Sequence, residues 1–328
     1  MEPDLSYFDA VAGAGLTHAA NRADWDALRL APRVLRPLAD CTTRCQLAGR
    51  ALPHPLLLAP VALQRLAHPE GELATALAAA AQGAGLVLSC QSSVAVEQVA
   101  RAYAGEADCG PLWFQLYHLG DWALTQALAQ RAADAGCEAL VLTVDAPLQS
   151  PRAPLPPGAQ AVHLPPGFGQ GSAATLLAGA PTWDDVARLV RDAPLPLWLK
   201  GVLHPADAQQ AQALGVAGVI VSNHGGRALD GAVSTARALP AVRAAVGADY
   251  PLLVDGGIRS ASDVLKALAL GADAVLLGRP QVQALAAGGA AGVAQWLRRL
   301  QDELLIALAQ AGCASPAAVS ADTLWPTA

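Results

Sequence analysis

The sequence predicts an α/β fold, a single (β/α)8 TIM barrel with a short N-terminal cap and a long loop after the fourth strand. Eight short apolar runs recur from about residue 55 onward, Ala-rich stretches of helical pattern lie between and after them, and polar clusters gather just past the runs. A chain of 328 residues suits one barrel domain spanning 1–328. Alternation alone does not demand closure, so a doubly wound open sheet is the alternative.

Taken in order, residues 1–50 stand outside the repeat; Tyr7, Phe8 and Trp25 make them a small cap packed on the barrel. The predicted strands are Leu56–Ala59, Leu86–Ser89, Leu112–Leu116, Ala139–Thr143, Leu195–Lys200, Gly218–Ser222, Leu252–Asp255 and Ala274–Leu277. Each is about strand length and lacks polar alternation, as parallel strands buried on both faces should. The predicted helices are Gly71–Gln82, Val94–Tyr103, Trp122–Ala135, Trp183–Arg191, Pro205–Leu214, Thr235–Val246, Ala261–Leu270 and Gly288–Ala311. Start signals support several: Ser260 stands three before Asp263, Thr182 three before Asp185, and Ser234 leads a long Ala/Leu pattern. Gly83, Gly136, Gly215 and Gly271 close others.

The connection 146–181 carries Pro147, Pro151, Pro154, Pro156, Pro157, Pro165, Pro166 and Pro181, which argues against a regular helix there. A loop of that length in a compact fold is usually a lid or binding loop, and in a barrel it overhangs the C-terminal mouth where active sites sit. The plainer reading is a surface insertion.

Composition narrows the function. Hydrophobic residues make up 53% and charged residues 15%, enough for a large core and against disorder. The run Ala272–Leu277 meets Arg279 and Pro280 well short of the ~20 residues a membrane span needs, and no membrane anchor is expected. Met1–Tyr7 carries Glu2 and Asp4 and no basic region, so a signal peptide is not expected and the cytoplasm is the default location. A net charge of −6 argues against nucleic acid as a partner and leaves any anionic substrate to local arginines. Cys41 and Cys45 could be half a metal site, but no second Cys/His pair has matching spacing; the six cysteines read as reduced and structural, and no metal is expected.

The densest polar cluster is Val221-Ser222-Asn223-His224-Gly225-Gly226-Arg227, directly after the sixth strand. A lone histidine would more often be structural; here the glycines let backbone approach a flat ligand while His224 and Arg227 project from one loop. Leu142-Thr143-Val144-Asp145, with Arg152, follows the fourth strand. Asp145 can orient His224 and stabilise its protonated form, although taken alone it would read as a turn or helix cap. Lys200 ends the fifth strand and is one of two lysines in the chain; after a buried run it needs an anion, which points to a cofactor. The other, Lys266, reads as a solvent-facing helix residue. Asp255-Gly256-Gly257-Ile258-Arg259 and Gly278-Arg279-Pro280 follow strands seven and eight, where barrels commonly bind phosphate.

With Ser222-Asn223-His224-Gly225-Gly226-Arg227, Phe114-Gln115-Leu116-Tyr117 and Thr143-Val144-Asp145, the chain resembles the FMN-dependent 2-hydroxy acid oxidases and dehydrogenases from Tyr7 to about Leu324. The resemblance implies FMN as cofactor, His224 as base and Asp145 as its partner. It places Arg152 and Arg227 on the substrate carboxylate, with Tyr7 and Tyr117 near the carboxylate and hydroxyl. It puts Lys200 beside the N1/C2 carbonyl edge of the flavin, and Ser89, Gln115, Thr143, Ser222 and the Pro60-Val61-Ala62 backbone against the isoalloxazine or ribityl chain. Asp255 would hold the ribityl hydroxyls, and Gly257, Arg259, Gly278 and Arg279 the phosphate. It also implies a homo-oligomer, commonly a tetramer, and an electron acceptor that is oxygen, a quinone or a cytochrome.

Gln91 stands where glycolate oxidases tend to have tryptophan, and Ala59–Leu66 with His68–Glu72 is most similar to the 4-hydroxymandelate oxidase branch. An aryl or branched 2-hydroxy acid is therefore the first substrate expectation and lactate the second. Two other readings are a non-redox FMN barrel of the type 2 isopentenyl diphosphate isomerase kind, and a flavin-binding barrel without turnover. Neither needs Arg152, His224 and Arg227 gathered around a carboxylate.

Overall fold

The structure is a computed structural model that describes residues 5–104, 109–147, 159–165 and 172–326, Thr175 by its backbone alone. Its barrel strands are β1 (Leu56–Leu58), β2 (Gly85–Ser89), β3 (Leu112–Leu116), β4 (Ala139–Thr143), β5 (Leu197–Val202), β6 (Gly218–Val221), β7 (Leu252–Val254) and β8 (Ala274–Leu277). Neighbours pair in parallel in chain order, and β8 returns to β1 through Val275–Leu56, Leu276–Leu57 and Leu277–Leu58. That last pairing closes the barrel and excludes the open sheet.

Strand side chains alternate between two apolar layers, because successive Cβ atoms point to opposite faces. Leu57, Val87, Trp113, Val141, Trp198 and Leu253 face inward, with the Trp113 and Trp198 rings 4.6 Å apart. Leu56, Leu86, Leu112, Leu140, Leu199 and Leu252 face the surrounding helices. Both faces are dry, which is why the strands read as unbroken apolar runs. A hairpin, Cys45–Leu47 with Arg50–Leu52, adds Leu47 and Leu52 to the interior layer. Arg50 reaches Cys109 O and Gly110 O just before β3, so the hairpin sits at the N-terminal end of the barrel.

The helix starts follow their signals. Ser260 Oγ accepts from Asp263 N at 3.2 Å, Ser234 Oγ from Arg237 N at 3.4 Å, and Asp185 Oδ2 from Thr182 N at 2.8 Å. The last helix departs from expectation: it runs Arg279–Ala311, with Gly288 and Gly289 outside helical dihedrals. The glycine pair marks a kink between two helical segments rather than a beginning. Between β4 and its helix Trp183–Asp192, the proline-free stretch forms a short helix, Ala173–Ala178, which the proline count had argued against.

The first fifty residues serve both ends of the barrel. While the hairpin sits below, the helix Leu16–Ala27 lies over the turns after β6 and β7. Asn21 and Asn223 exchange amide hydrogen bonds at 2.8 and 2.7 Å, and Trp25 Nε1 donates to Gly256 O at 2.8 Å. Lys266 is not a solvent residue: it is 8% exposed and its Nζ donates to Trp25 O at 2.7 Å. Among the described residues, no helix is long and apolar enough to cross a membrane.

Candidate active site

Two residues beyond the inward apolar layer, the same face of the strands turns polar. Ser89, Gln115, Thr143, Lys200 and Asp255, with Ala59 and Gly278, line a cavity that opens to solvent at the C-terminal mouth. Strand parity thus gathers into one ring residues that lie far apart in sequence. Pro60, Val61, Ala62, Tyr7, Tyr117, His224, Arg227, Gly257, Arg259 and Arg279 complete the walls from the loops.

Asp145 and Ser222 stand behind the wall. His224 Nδ1 lies 3.0 Å from Asp145 Oδ1, and His224 N donates to Ser222 Oγ at 3.1 Å. His224 has φ +57°, a left-handed conformation that is strained for a residue with a Cβ and is held here by those two contacts. Burial pushes the Asp145 carboxyl up, but the charge and hydrogen bond of His224, with Lys200, bring it below the ordinary aspartate value. Gly201 makes room for this pair: its φ is +107°, and a Cβ there would stand 2.5 Å from Asp145 Cβ.

The anion that Lys200 needs is Asp255. Lys200 is 3% exposed, with Nζ 3.1 Å from Asp255 Oδ2 and 2.9 Å from Ser222 Oγ. Burial lowers its pKa, yet Asp255 and Asp145 more than restore it, so the buried ammonium stays charged at the cavity wall.

Arg227 and Arg279 are fixed by backbone carbonyls of the N-terminal segment. Arg227 Nη2 donates to Tyr7 O at 2.9 Å, and its guanidinium lies 5.5 Å from the Tyr7 ring centre. Arg279 donates to Gly225 O at 2.8 Å and reaches His18 Nδ1 at 3.2 Å. Burial lowers the pKa of both Arg259 and Arg279, helped by the charge of Arg22 on Arg259 and of Arg259 on Arg279. The exposed Arg259 and the half-buried Arg279, two cations that repel one another, suit a dianion. Gly257, at φ +86°, lets the turn pass under Asn21: a Cβ there would lie 2.8 Å from Asn21 O and from Trp25 Cδ1.

These features suit a flavin mononucleotide. Ser89 Oγ donates to Gln115 Oε1 at 3.1 Å, which leaves Gln115 Nε2 buried without a partner among the described residues, as is Asp255 Oδ1. A donor for a ring carbonyl, an acceptor for ribityl hydroxyls and a cationic end for phosphate thus lie along one cavity.

The family model of FMN-dependent dehydrogenases matches residues 2–326. The chain belongs to the FMN-dependent dehydrogenase family. It is 48% identical to an L-lactate oxidase of Alicycliphilus denitrificans (strain DSM 14773 / CIP 107495 / K601), covering 98% of this chain and 92% of that protein. It is 44% identical to the 4-hydroxymandelate oxidase of Amycolatopsis orientalis, covering 94% and 90%. Among solved structures, mandelate oxidase with (S)-4-hydroxymandelic acid superposes with a TM-score of 0.89 at 40% identity, covering 98% and 93%. As in this family, the chain is an FMN-dependent enzyme that oxidises 2-hydroxy acids.

Arg152 lies outside the described residues. The sequence reading missed His18, Asn21 and Arg22 and placed Phe8 in the cap without its link to the site; all four tie the N-terminal segment to it. They belong to no motif; the one available signal was that a cap with buried aromatics must cover something.

Proposed function

We propose that the chain oxidises an (S)-2-hydroxy acid of lactate to mandelate size to its 2-oxo acid, with molecular oxygen as electron acceptor. The observation that carries this is the His224–Asp145 pair at 3.0 Å, with His224 in a cavity wall shared with Arg227 and Asp145 behind it.

With Nδ1 engaged by Asp145, His224 accepts the substrate proton at Nε2, and the Asp145 carboxylate stabilises the imidazolium that results. Arg227 binds the substrate carboxylate and Arg152 shares that task, while Tyr7 and Tyr117 orient carboxylate and hydroxyl. Orientation by two cations and two phenols confines the substrate to one face of the cofactor. Bound FMN supplies the two-electron redox chemistry. Lys200, Ser89, Gln115, Thr143, Ser222 and the Pro60-Val61-Ala62 backbone are proposed to hold the ring and ribityl chain. Asp255 takes the ribityl hydroxyls, and Gly257, Arg259, Gly278 and Arg279 take the phosphate. Overall, two electrons and two protons leave the acid and reduce oxygen to hydrogen peroxide.

Oxygen as acceptor is supported by relatives that are oxidases. Six unpaired cysteines suit the reducing cytoplasm, where we place the protein. A homotetramer, the assembly implied by the family resemblance, is the form we propose, and light scattering on the purified protein tests it.

The deciding experiment mixes the protein anaerobically with glycolate, L-lactate, (S)-mandelate and (S)-4-hydroxymandelate while the visible flavin band is followed. Bleaching by lactate or a mandelate, with colour and peroxide returning on admission of air, is the expected result. A band that no acid bleaches supports a flavin barrel without turnover. Bleaching that air does not reverse points to a quinone or cytochrome.

A further inference from the structure

Glu72 occupies the first turn of the helix Glu72–Ala81, where an acidic residue ordinarily sits in solvent near the positive end of the helix. Here it is 1% exposed. Its Oε1 accepts from Gln64 N at 3.0 Å and from Ser93 N at 2.9 Å, donors on two different loops. The first loop follows β1 and the second follows β2. Leu63 N–Gln91 O at 3.0 Å and Arg65 N–Ser93 Oγ at 3.3 Å join the same loops. Gln64 adds a side-chain link, accepting from Thr75 Oγ1 at 2.6 Å and donating to Val61 O at 3.4 Å.

Both loops end in the cavity wall: Pro60, Val61 and Ala62 on one, Gln91 on the other. Leu63, between them, holds φ +53°, so this wall is a constrained turn and not a relaxed one. Glu72 Oε2 is buried without a partner among the described residues. An acid kept in such a place costs stability relative to an apolar residue, which asks for a role beyond packing.

We propose that Glu72 is a positioning residue for cofactor and substrate. Its single oxygen sets the spacing of the 60–64 and 91–93 loops, so that the Pro60-Val61-Ala62 backbone and Gln91 present one continuous wall to the flavin ring and the substrate side chain. This rests on the FMN reading of the cavity. Burial, which raises the Glu72 carboxyl above its usual range against the pull of the Ser93 and Gln64 amides, agrees with a group held for its acceptor geometry.

The test compares Glu72→Gln, Glu72→Asp and Glu72→Ala with Leu189→Ala, a buried position outside the cavity lining. Deflavo-protein is titrated with FMN by fluorescence quenching, visible circular dichroism of the bound flavin is recorded, and KM and kcat are measured on holoenzyme. Glu72→Ala is expected to weaken FMN binding about tenfold, change the dichroism, and raise KM more than it lowers kcat. Glu72→Gln, whose carbonyl accepts the same two bonds, is expected to restore all three to within about twofold. Leu189→Ala should lower the melting temperature and leave FMN affinity and dichroism unchanged. If Glu72→Ala yields no folded protein, Glu72→Asp decides, because it keeps the charge but withdraws the acceptor: weakened FMN binding beside a normal Glu72→Gln supports the proposal. Wild-type affinity and dichroism in Glu72→Ala or Glu72→Asp, or equal losses in Leu189→Ala, overturn it. Failure of wild-type deflavo-protein to bind FMN would instead overturn the reading of the cavity.

Discussion

Arg227 and Arg279 meet at one carbonyl: Phe8 O accepts from Arg227 Nη1 at 2.6 Å and from Arg279 Nε at 3.2 Å. Ala10 O repeats the arrangement at 3.2 and 3.1 Å. The N-terminal segment therefore couples the arginine proposed for the substrate carboxylate to the one proposed for the phosphate. Phe8 is 4% exposed and stacks edge-on against Tyr7, which anchors that backbone. Phe8→Ala should lower stability by about 3 kcal/mol and raise FMN Kd and substrate KM together. Arg227→Lys should raise KM and leave FMN affinity unchanged. An FMN titration with steady-state kinetics checks both; a Phe8→Ala enzyme altered in KM alone would show the two arginines to be independent.

The contact between His224 and Asp145 predicts a loss in turnover rather than in cofactor binding. Asp145→Asn keeps the shape but removes the charge that stabilises the imidazolium, so kcat should fall by roughly 10² to 10⁴ with FMN affinity preserved. Because the Asp145 carboxyl is depressed in the fold, its stabilising contribution is full above the unfolded aspartate value and is lost as pH falls through the folded one. Asp145→Asn should therefore flatten the acid limb of the stability curve, measured by urea unfolding from pH 5 to pH 3. Unchanged kcat would remove Asp145 from the reaction.

How legible each part was in the sequence depends on whether its signal is local. The strands were legible because both faces of each are dry; Gln115 and Thr143 were legible only through the family resemblance, and strand parity, which sets them and Lys200 two residues past Trp113, Val141 and Trp198, explains why they meet in one ring. The cavity lining therefore includes most of the residues singled out beforehand. Lys266 was misread because helical periodicity tells which face a residue occupies, not whether another segment such as Leu16–Ala27 covers it. Glu72 was hidden for the same reason, since a first-turn acid looks ordinary until two distant backbones converge on it. Gly288-Gly289 was read as a helix start; only the turn after β8 shows that Arg279 opens a helical segment ahead of the kink.

Lys200 and Asp255 form a buried ion pair whose halves should not be separable. Removing the ammonium leaves a carboxylate in the barrel with its Oδ1 already unpartnered among the described residues. Lys200→Met should destabilise the protein by about 3–5 kcal/mol, whereas Lys200→Met with Asp255→Asn should recover much of that loss. Chemical denaturation of the two single variants and the double variant measures the coupling. Additive losses would mean that the pair is already solvated in the native protein.

His163 predicts an acid-sensitive clamp on the loop after β4. It is 7% exposed; Nε2 accepts from Val96 N at 2.8 Å, and Nδ1 lies 3.2 Å from Ser92 Oγ, whose own proton goes to Val94 O at 2.7 Å. Only the neutral ring with its proton on Nδ1 satisfies all three bonds. Burial, then the charge of Arg131, pushes the pKa of His163 down to about 4, and burial does the same to His54. With the folded pKa below the unfolded value, the unfolded chain takes the proton first. Stability is full above about pH 6.5, declines between about 6.5 and 4, and is flat below as far as these groups are concerned, by on the order of 3 kcal/mol each. His163→Gln should be less stable at pH 7.5 yet lose less on acidification, the remaining slope belonging to His54 and to His18, whose pKa burial and the charge of Arg279 also lower. Urea unfolding at pH 7.5, 6 and 5 measures both quantities, and an identical pH slope in variant and wild type would show that His163 takes up its proton equally in the folded and unfolded chain, which removes the clamp.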